Sequence, residues 1–89
     1  GALLVSNDYL KIPESVLCNK NICATSKILY GYISLLCHQN GYCYATNSFL
    51  GKTLKVTPRT ITRLIREMKD ANLITISYTE DHVRRIYLV

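Results

Sequence analysis

The apolar residues of this chain change their period along its length, and each change marks an element. From Ala24 to Gln39, Ile28, Leu29, Tyr32, Ile33, Leu35, Leu36 and Cys37 recur at helical spacing and cover more than half the circumference. This predicts a long helix with one core face and a second apolar surface. Asn40-Gly41 ends it, since both residues tolerate a left-handed backbone. Tyr42-Cys43-Tyr44-Ala45 follows as a brief extended segment. Thr46 is then placed to cap a second helix from Asn47 to Leu54, with Phe49, Leu50 and Leu54 inward and Lys52 outward. Gly51 inside that helix costs roughly 1 kcal/mol against Ala, so a close helix–helix contact is its expected reason. Lys55-Val56 forms a turn, in which Lys55 must adopt positive φ.

The third helix carries the sharpest pattern. Thr57 is a good N-cap, and Pro58 suits the first helical position, where its missing N–H costs nothing. Ile61, Leu64, Ile65 and Met68 recur at i, i+3, i+4 and i+7 as an apolar stripe. Arg59, Thr62, Arg63 and Arg66 fall on the opposite side, so the helix from Pro58 to Lys69 has one apolar and one basic face. Asn72 can close it in a left-handed conformation. Beyond Asn72 the period drops to two. Leu73 to Tyr78 places Ile74, Ile76 and Tyr78 on one face, Thr79-Glu80-Asp81-His82 is a polar turn, and Val83 to Val89 returns as a second strand.

The beginning of the chain gives weaker signals. Tyr9-Leu10-Lys11-Ile12 reads as a short strand ended by Pro13, and Pro13 to Cys18 as one helical turn. Gly1-Ala2 reads as an expression scar. Taken together, the elements predict an α+β fold that is mainly α: a winged helix-turn-helix with a three-helix core, a C-terminal β-hairpin wing and a short N-terminal strand. A single domain over residues 1–89 is expected. The chain stops inside an apolar strand, which suggests the N-terminal part of a longer protein.

Composition narrows the function classes. A hydrophobic fraction of 48% with 19% charged residues describes a globular chain. No apolar run approaches the ~18 residues that cross a bilayer, and the opening residues lack the charged flank of a signal peptide. These features suggest a cytoplasmic protein with no membrane partner. The net charge of +5 favours a polyanionic partner. Its distribution says more, because eight cations and four acids lie from Thr46 onward, leaving an excess of one cation before it. The four cysteines, separated by 4, 13 and 5 residues, lack the tight ligand pairs of zinc sites. They are expected to be buried, reduced thiols, with no metal and no cofactor. No Gly-rich phosphate loop, carboxylate cluster or nucleophile with a placed base suggests an enzyme.

Four segments carry a resemblance: Ile12-Pro13-Glu14-Ser15-Val16-Leu17, Ala24 through Ile33, Gly41 through Thr46, and Val56 through Ile61, followed by Leu73-Ile74. In this order they resemble the winged-helix domain at the N-terminus of plasmid replication initiators and phage replisome organisers. The likeness runs from about Tyr9 to the end. The chain departs from that pattern at Gly51, Lys55 and Asn72, where Ala, Gly and Gly are usual. The resemblance implies a non-catalytic protein that binds repeated double-stranded DNA sites at an origin, often as a homodimer. It would recruit replication proteins through regions beyond this chain.

A DNA-binding reading assigns roles residue by residue. Arg59, Thr60 and Arg63, near the start of the basic helix, are best placed for base edges, Arg being suited to bidentate contact with guanine. Thr57 and Thr62 share that face, while Arg66 and Lys69 are expected to meet phosphate. Thr46, Asn47, Ser48 and Lys52 at the second helix, with Lys55 in the turn, could anchor the DNA backbone. Arg84 and Arg85 in the wing could reach phosphate or the minor groove. Tyr30, Tyr32, Tyr42 and Tyr44 are expected in the core or an interface. Two rivals stand beside the replication reading: a winged-helix transcriptional regulator, and a winged helix that meets a partner protein instead of DNA.

Overall fold

Three helices and a hairpin enclose one apolar core, and the hydrophobic periods explain which face of each element turns inward. A computed structural model describes the backbone of residues 2–5 and 8–89 and the side chains of residues 11–89. The element order is β1 (Ala2–Val5), β2 (Asp8–Lys11), α1 (Glu14–Leu17), α2 (Ala24–Asn40), α3 (Asn47–Leu54), α4 (Pro58–Asp70), β3 (Ile74–Tyr78) and β4 (Arg84–Leu88). Leu29 and Ile33 of α2, Leu50 of α3, Ile61, Leu64 and Met68 of α4, and Ile86 of β4 have no exposed surface. Val16, Ile22, Cys43 and Ile74 close the same cluster. The wing is an antiparallel pair in which Ile74 faces Leu88 and Tyr78 faces Arg84. A bridge between Cys43 and Ile86 attaches the segment after α2 to the outer edge of that pair. This is the winged helix-turn-helix that the periods predict.

Local chemistry fixes the boundaries. Gly41 ends α2 at φ 85°, and its N–H donates to the Cys37 carbonyl at 2.6 Å. Thr46 caps α3 by accepting from the Phe49 N–H. At the end of α4 the Leu73 N–H donates to the Met68 carbonyl and the Asn72 N–H to the Lys69 carbonyl, both at 3.0 Å. With Asn72 at φ 61°, this is a Schellman closure in which Asn takes the place usually held by Gly.

Several sequence expectations change. The N-terminal strand is one arm of a hairpin: β1 pairs antiparallel with β2, Ala2 opposite Lys11 and Val5 opposite Asp8. Ala2 is the first residue of β1, and Gly1 lies outside the described residues. β2 packs against α2. Even so, Ile28 remains exposed. Phe49 does not point inward and is 50% exposed. In a helix whose buried direction is set by Leu50, a residue one step away is rotated by about 100°, and Phe49 falls outside the core. Tyr78 shares a face with Ile74 and Ile76 but is 67% exposed, because β3 runs past the end of the core. Among the cysteines only Cys43 is fully buried; Cys18 and Cys23 are exposed, contrary to expectation, and Cys37 is partly buried. Burial raises the pKa of the Cys37 and Cys43 thiols. No helix among the described residues is long and apolar enough to cross a membrane. Nor does any cluster of His, Cys, Asp or Glu among them have a metal-holding arrangement.

Candidate nucleic-acid interface

The basic face of α4 depends on the turn that delivers it. Lys55 sits at φ 59°, and the Val56 N–H folds back onto the Gly51 carbonyl at 2.9 Å. A Cβ on Gly51 would lie 2.7 Å from the Val56 carbonyl oxygen. The close approach that excludes a side chain here is therefore to the backbone of the turn, not to a facing helix as the sequence suggested. Thr57 then caps α4, its hydroxyl accepting from the Thr60 N–H at 3.1 Å and lying 3.0 Å from the Thr60 hydroxyl. Pro58 occupies the first turn. This compact turn sets the angle at which α4 leaves α3.

The two sides of α4 separate cleanly. Ile61, Leu64 and Met68 are fully buried and Ile65 nearly so, whereas Arg59, Thr62, Arg63, Arg66 and Lys69 are exposed. Glu67, the one acid within this stretch before Asp70, is turned away to another task. Its carboxylate accepts from the backbone N–H of Cys23, the N-cap of α2. No side chain within α2 caps it, and its first turn holds no acid. A carboxylate from α4 thus satisfies a free donor and complements the helix dipole of α2. The outer face of α4 is left basic as a result.

Among the predicted site residues, several have partners inside the protein. The Thr62 hydroxyl donates to the Pro58 carbonyl at 3.2 Å and accepts from the Asn47 amide nitrogen at 3.0 Å. Asn47 and Thr62 thereby tie the start of α3 to α4, and the Asn47 Oδ1 is buried without a hydrogen-bond partner. Thr60 is half-buried and held by the Thr57 cap, while Thr46 is engaged as the α3 cap. Ser48 in the first turn of α3, Lys52 in its last turn and Lys55 at its C-cap are exposed. Arg59, Arg63, Arg66 and Lys69 remain as long cationic side chains directed outward.

The wing treats its two arginines differently, as alternation along a strand requires. Arg84 turns towards α4, and its guanidinium donates to the Ala45 carbonyl at 2.8 Å. Burial lowers its pKa, with Cys43 and Tyr78 acting in the opposite direction. Arg85 points to the other face and lies over the Tyr42 ring, 4.5 Å from its centre. The pair does not act together at one surface. Between α4 and the wing runs a groove of about 460 Å³ whose lining includes Thr62, Arg66, Lys69, Tyr78 and Arg84. Sequence reasoning placed Tyr78 on one face with Ile74 and Ile76 and gave it no role in this groove. Its period-two placement beside Ile76 gave its face correctly but not where the core ends.

Two comparisons bear on this geometry. A model of the helix-turn-helix domain family matches residues 20–74, the stretch from just before α2 to the start of β3. The fold is similar to a solved structure of an MDR initiator, with a TM-score of 0.68 over 92% of this chain and 76% of that one, at 19% sequence identity. No match is found among curated proteins. Helix-turn-helix domains bind DNA, and the second helix of the motif here is α4. By the extent of the family match and the capped α3–turn–α4 unit within it, this chain belongs to the helix-turn-helix domain family.

Proposed function

We propose that this chain binds double-stranded DNA sequence-specifically, α4 lying in the major groove, and that it serves as the origin-binding domain of a plasmid or phage replication initiator. The observation that carries the DNA-reading role is the division of α4. One face has 0–5% exposure at Ile61, Leu64, Ile65 and Met68, and the other presents Arg59, Arg63, Arg66 and Lys69 to solvent. Arg59 and Arg63, nearest the N-terminal end, read base edges; Arg66 and Lys69 hold phosphate together with Lys52, Lys55 and the first turn of α3. Thr57, Thr60, Thr62, Asn47 and Thr46 act mainly by fixing the motif, with Ser48 left free for phosphate. Arg84 supports the wing from within. An arginine-lined reading helix favours DNA over a protein partner, for which an aliphatic outer face would be expected. The likeness to an MDR initiator supports a role in replication.

In this reading the 89 residues form one domain of a longer cytoplasmic protein that is not a catalyst. The domain pairs with a second copy across the hairpin and α2, where Ile28 is exposed, and other regions recruit replication proteins. The test is a salt titration of duplex binding by fluorescence anisotropy. Phosphate-driven binding falls with a log–log slope of about −0.9 per neutralised phosphate, so Lys69→Ala should make the slope shallower by about one contact. No binding to any duplex at low salt would overturn the proposal. To separate initiator from transcriptional regulator, Arg63→Ala in the parent protein should abolish plasmid maintenance from its origin while leaving adjacent transcription unchanged.

A further inference from the structure

Away from α4, the chain gathers aromatic side chains where the duplex interface has no use for them. Four of its eight aromatic residues, Tyr42, Tyr44, Phe49 and Tyr87, meet on the side formed by the end of α2, the Tyr42–Ala45 segment and β4. Tyr42 is the centre of the group, 6.1 Å from Tyr44 and 5.9 Å from Tyr87 between ring centres, with Arg85 over its face. Tyr44 and Phe49 are 57% and 50% exposed and stand together, so that two large rings are open to a ligand. Both line a groove of about 430 Å³, together with Leu36, the amide side chains of Gln39 and Asn40, and Thr46. That volume is within the range of small-ligand sites. Tyr44 and Asn40 also line a second groove that holds Arg85, so the two grooves adjoin.

We propose that this aromatic groove binds unpaired bases of single-stranded DNA, as a site separate from the duplex-reading face of α4. The inference rests on the nucleic-acid reading of the chain and extends it to a second strand state. Exposed rings accept any base by stacking, and amide side chains offer both donors and acceptors to base edges. Thr46, the cap of α3, lines the groove beside these amides. A groove for a partner helix would be floored by aliphatic side chains; here Leu36 is the one aliphatic residue of that size in the lining. Asp81 on the adjoining groove is offset by Arg85 in the same lining. Such a site would let one domain hold both duplex repeats and a melted strand beside them.

The experiment uses the whole chain, fluorescein-labelled oligo-dT and a labelled duplex, read by anisotropy at low salt. Tyr44→Ala and Phe49→Ala, each with its helical circular dichroism intact, should weaken oligo-dT binding roughly tenfold or more and change duplex binding less than twofold. Arg63→Ala should do the reverse, and oligo-dT should still bind protein saturated with duplex. Failure of the duplex arm alone would remove the proposed function and leave this site standing. Absence of oligo-dT binding, or oligo-dT binding lost in Arg63→Ala and unchanged in Tyr44→Ala, would overturn the inference. So would sedimentation showing that Tyr44→Ala and Phe49→Ala convert a dimer to a monomer, since the groove would then belong to a second copy.

Discussion

Gly51→Ala sets two physical effects against each other. On helix propensity alone the change should stabilise α3, by about 1 kcal/mol. The structure predicts the opposite sign. The new methyl would stand 2.7 Å from the Val56 carbonyl oxygen, and the turn must retreat by about 0.7 Å to reach ordinary contact at 3.4 Å. The obstacle is backbone, already fixed by the Val56 N–H bond to Gly51 and followed at once by Pro58. Overpacking of this kind costs about 1–3 kcal/mol. Subtracting the propensity gain leaves a net loss of about 1 kcal/mol, which for a domain of this size lowers Tm by about 4–8 °C. Because the turn sets the angle of α4, duplex affinity should fall several-fold, while the salt slope stays unchanged because no cation is removed. Thr53→Ala is the control. Thr53 is exposed on the same helix, so its replacement should leave Tm unchanged or slightly raised. If Gly51→Ala melted at or above the wild type while Thr53→Ala behaved as stated, the tight-turn argument would be wrong.

Other substitutions separate structural from binding roles. Glu67→Ala removes the carboxylate from the α2 N-terminus and should cost about 1 kcal/mol by thermal melting. It also deletes an acid from α4, so duplex affinity at low temperature should rise slightly. Equal stability in that variant would mean the Cys23 contact contributes nothing. Arg84→Ala and Arg85→Ala should differ: the first frees a half-buried carbonyl at Ala45 and should destabilise by about 1–3 kcal/mol, whereas the second should cost less than about 1 kcal/mol. Matching losses in chemical denaturation would refute the distinction between the two faces of the wing.

The elements built from local rules were legible in the sequence. The stripe of Ile61, Leu64, Ile65 and Met68 gave the buried side of α4, and Thr57-Pro58 gave its start because capping needs only neighbours. The left-handed residues Lys55 and Asn72 were legible for the same reason. What escaped depends on distance along the chain. Glu67 meets Cys23 across 44 residues, and no local pattern marks a carboxylate as the cap of another helix. The partner of Asp8–Lys11 was missed because the short apolar run Ala2–Val5 has no period long enough to declare a strand. Phe49 was assigned the wrong burial, and the exposure of Tyr78 was not legible, since periodicity gives a direction, not the limits of the core. Gly51 was read as a helix contact, and only the folded turn identifies the Val56 carbonyl as its neighbour. Of the candidate site, the basic face of α4 could be read directly. The internal engagement of Thr62, Asn47 and Arg84 could not.

The central claim is that Arg59 and Arg63 on α4 read base edges in duplex DNA. The most direct measurement is selection from a random duplex pool by the wild type and by the single variants Arg59→Ala and Arg63→Ala, followed by sequencing. The account predicts one enriched motif for the wild type and, in each variant, relaxed preference at one or two positions of that motif, each worth about 1–3 kcal/mol. An enriched motif left unchanged by both variants would contradict it.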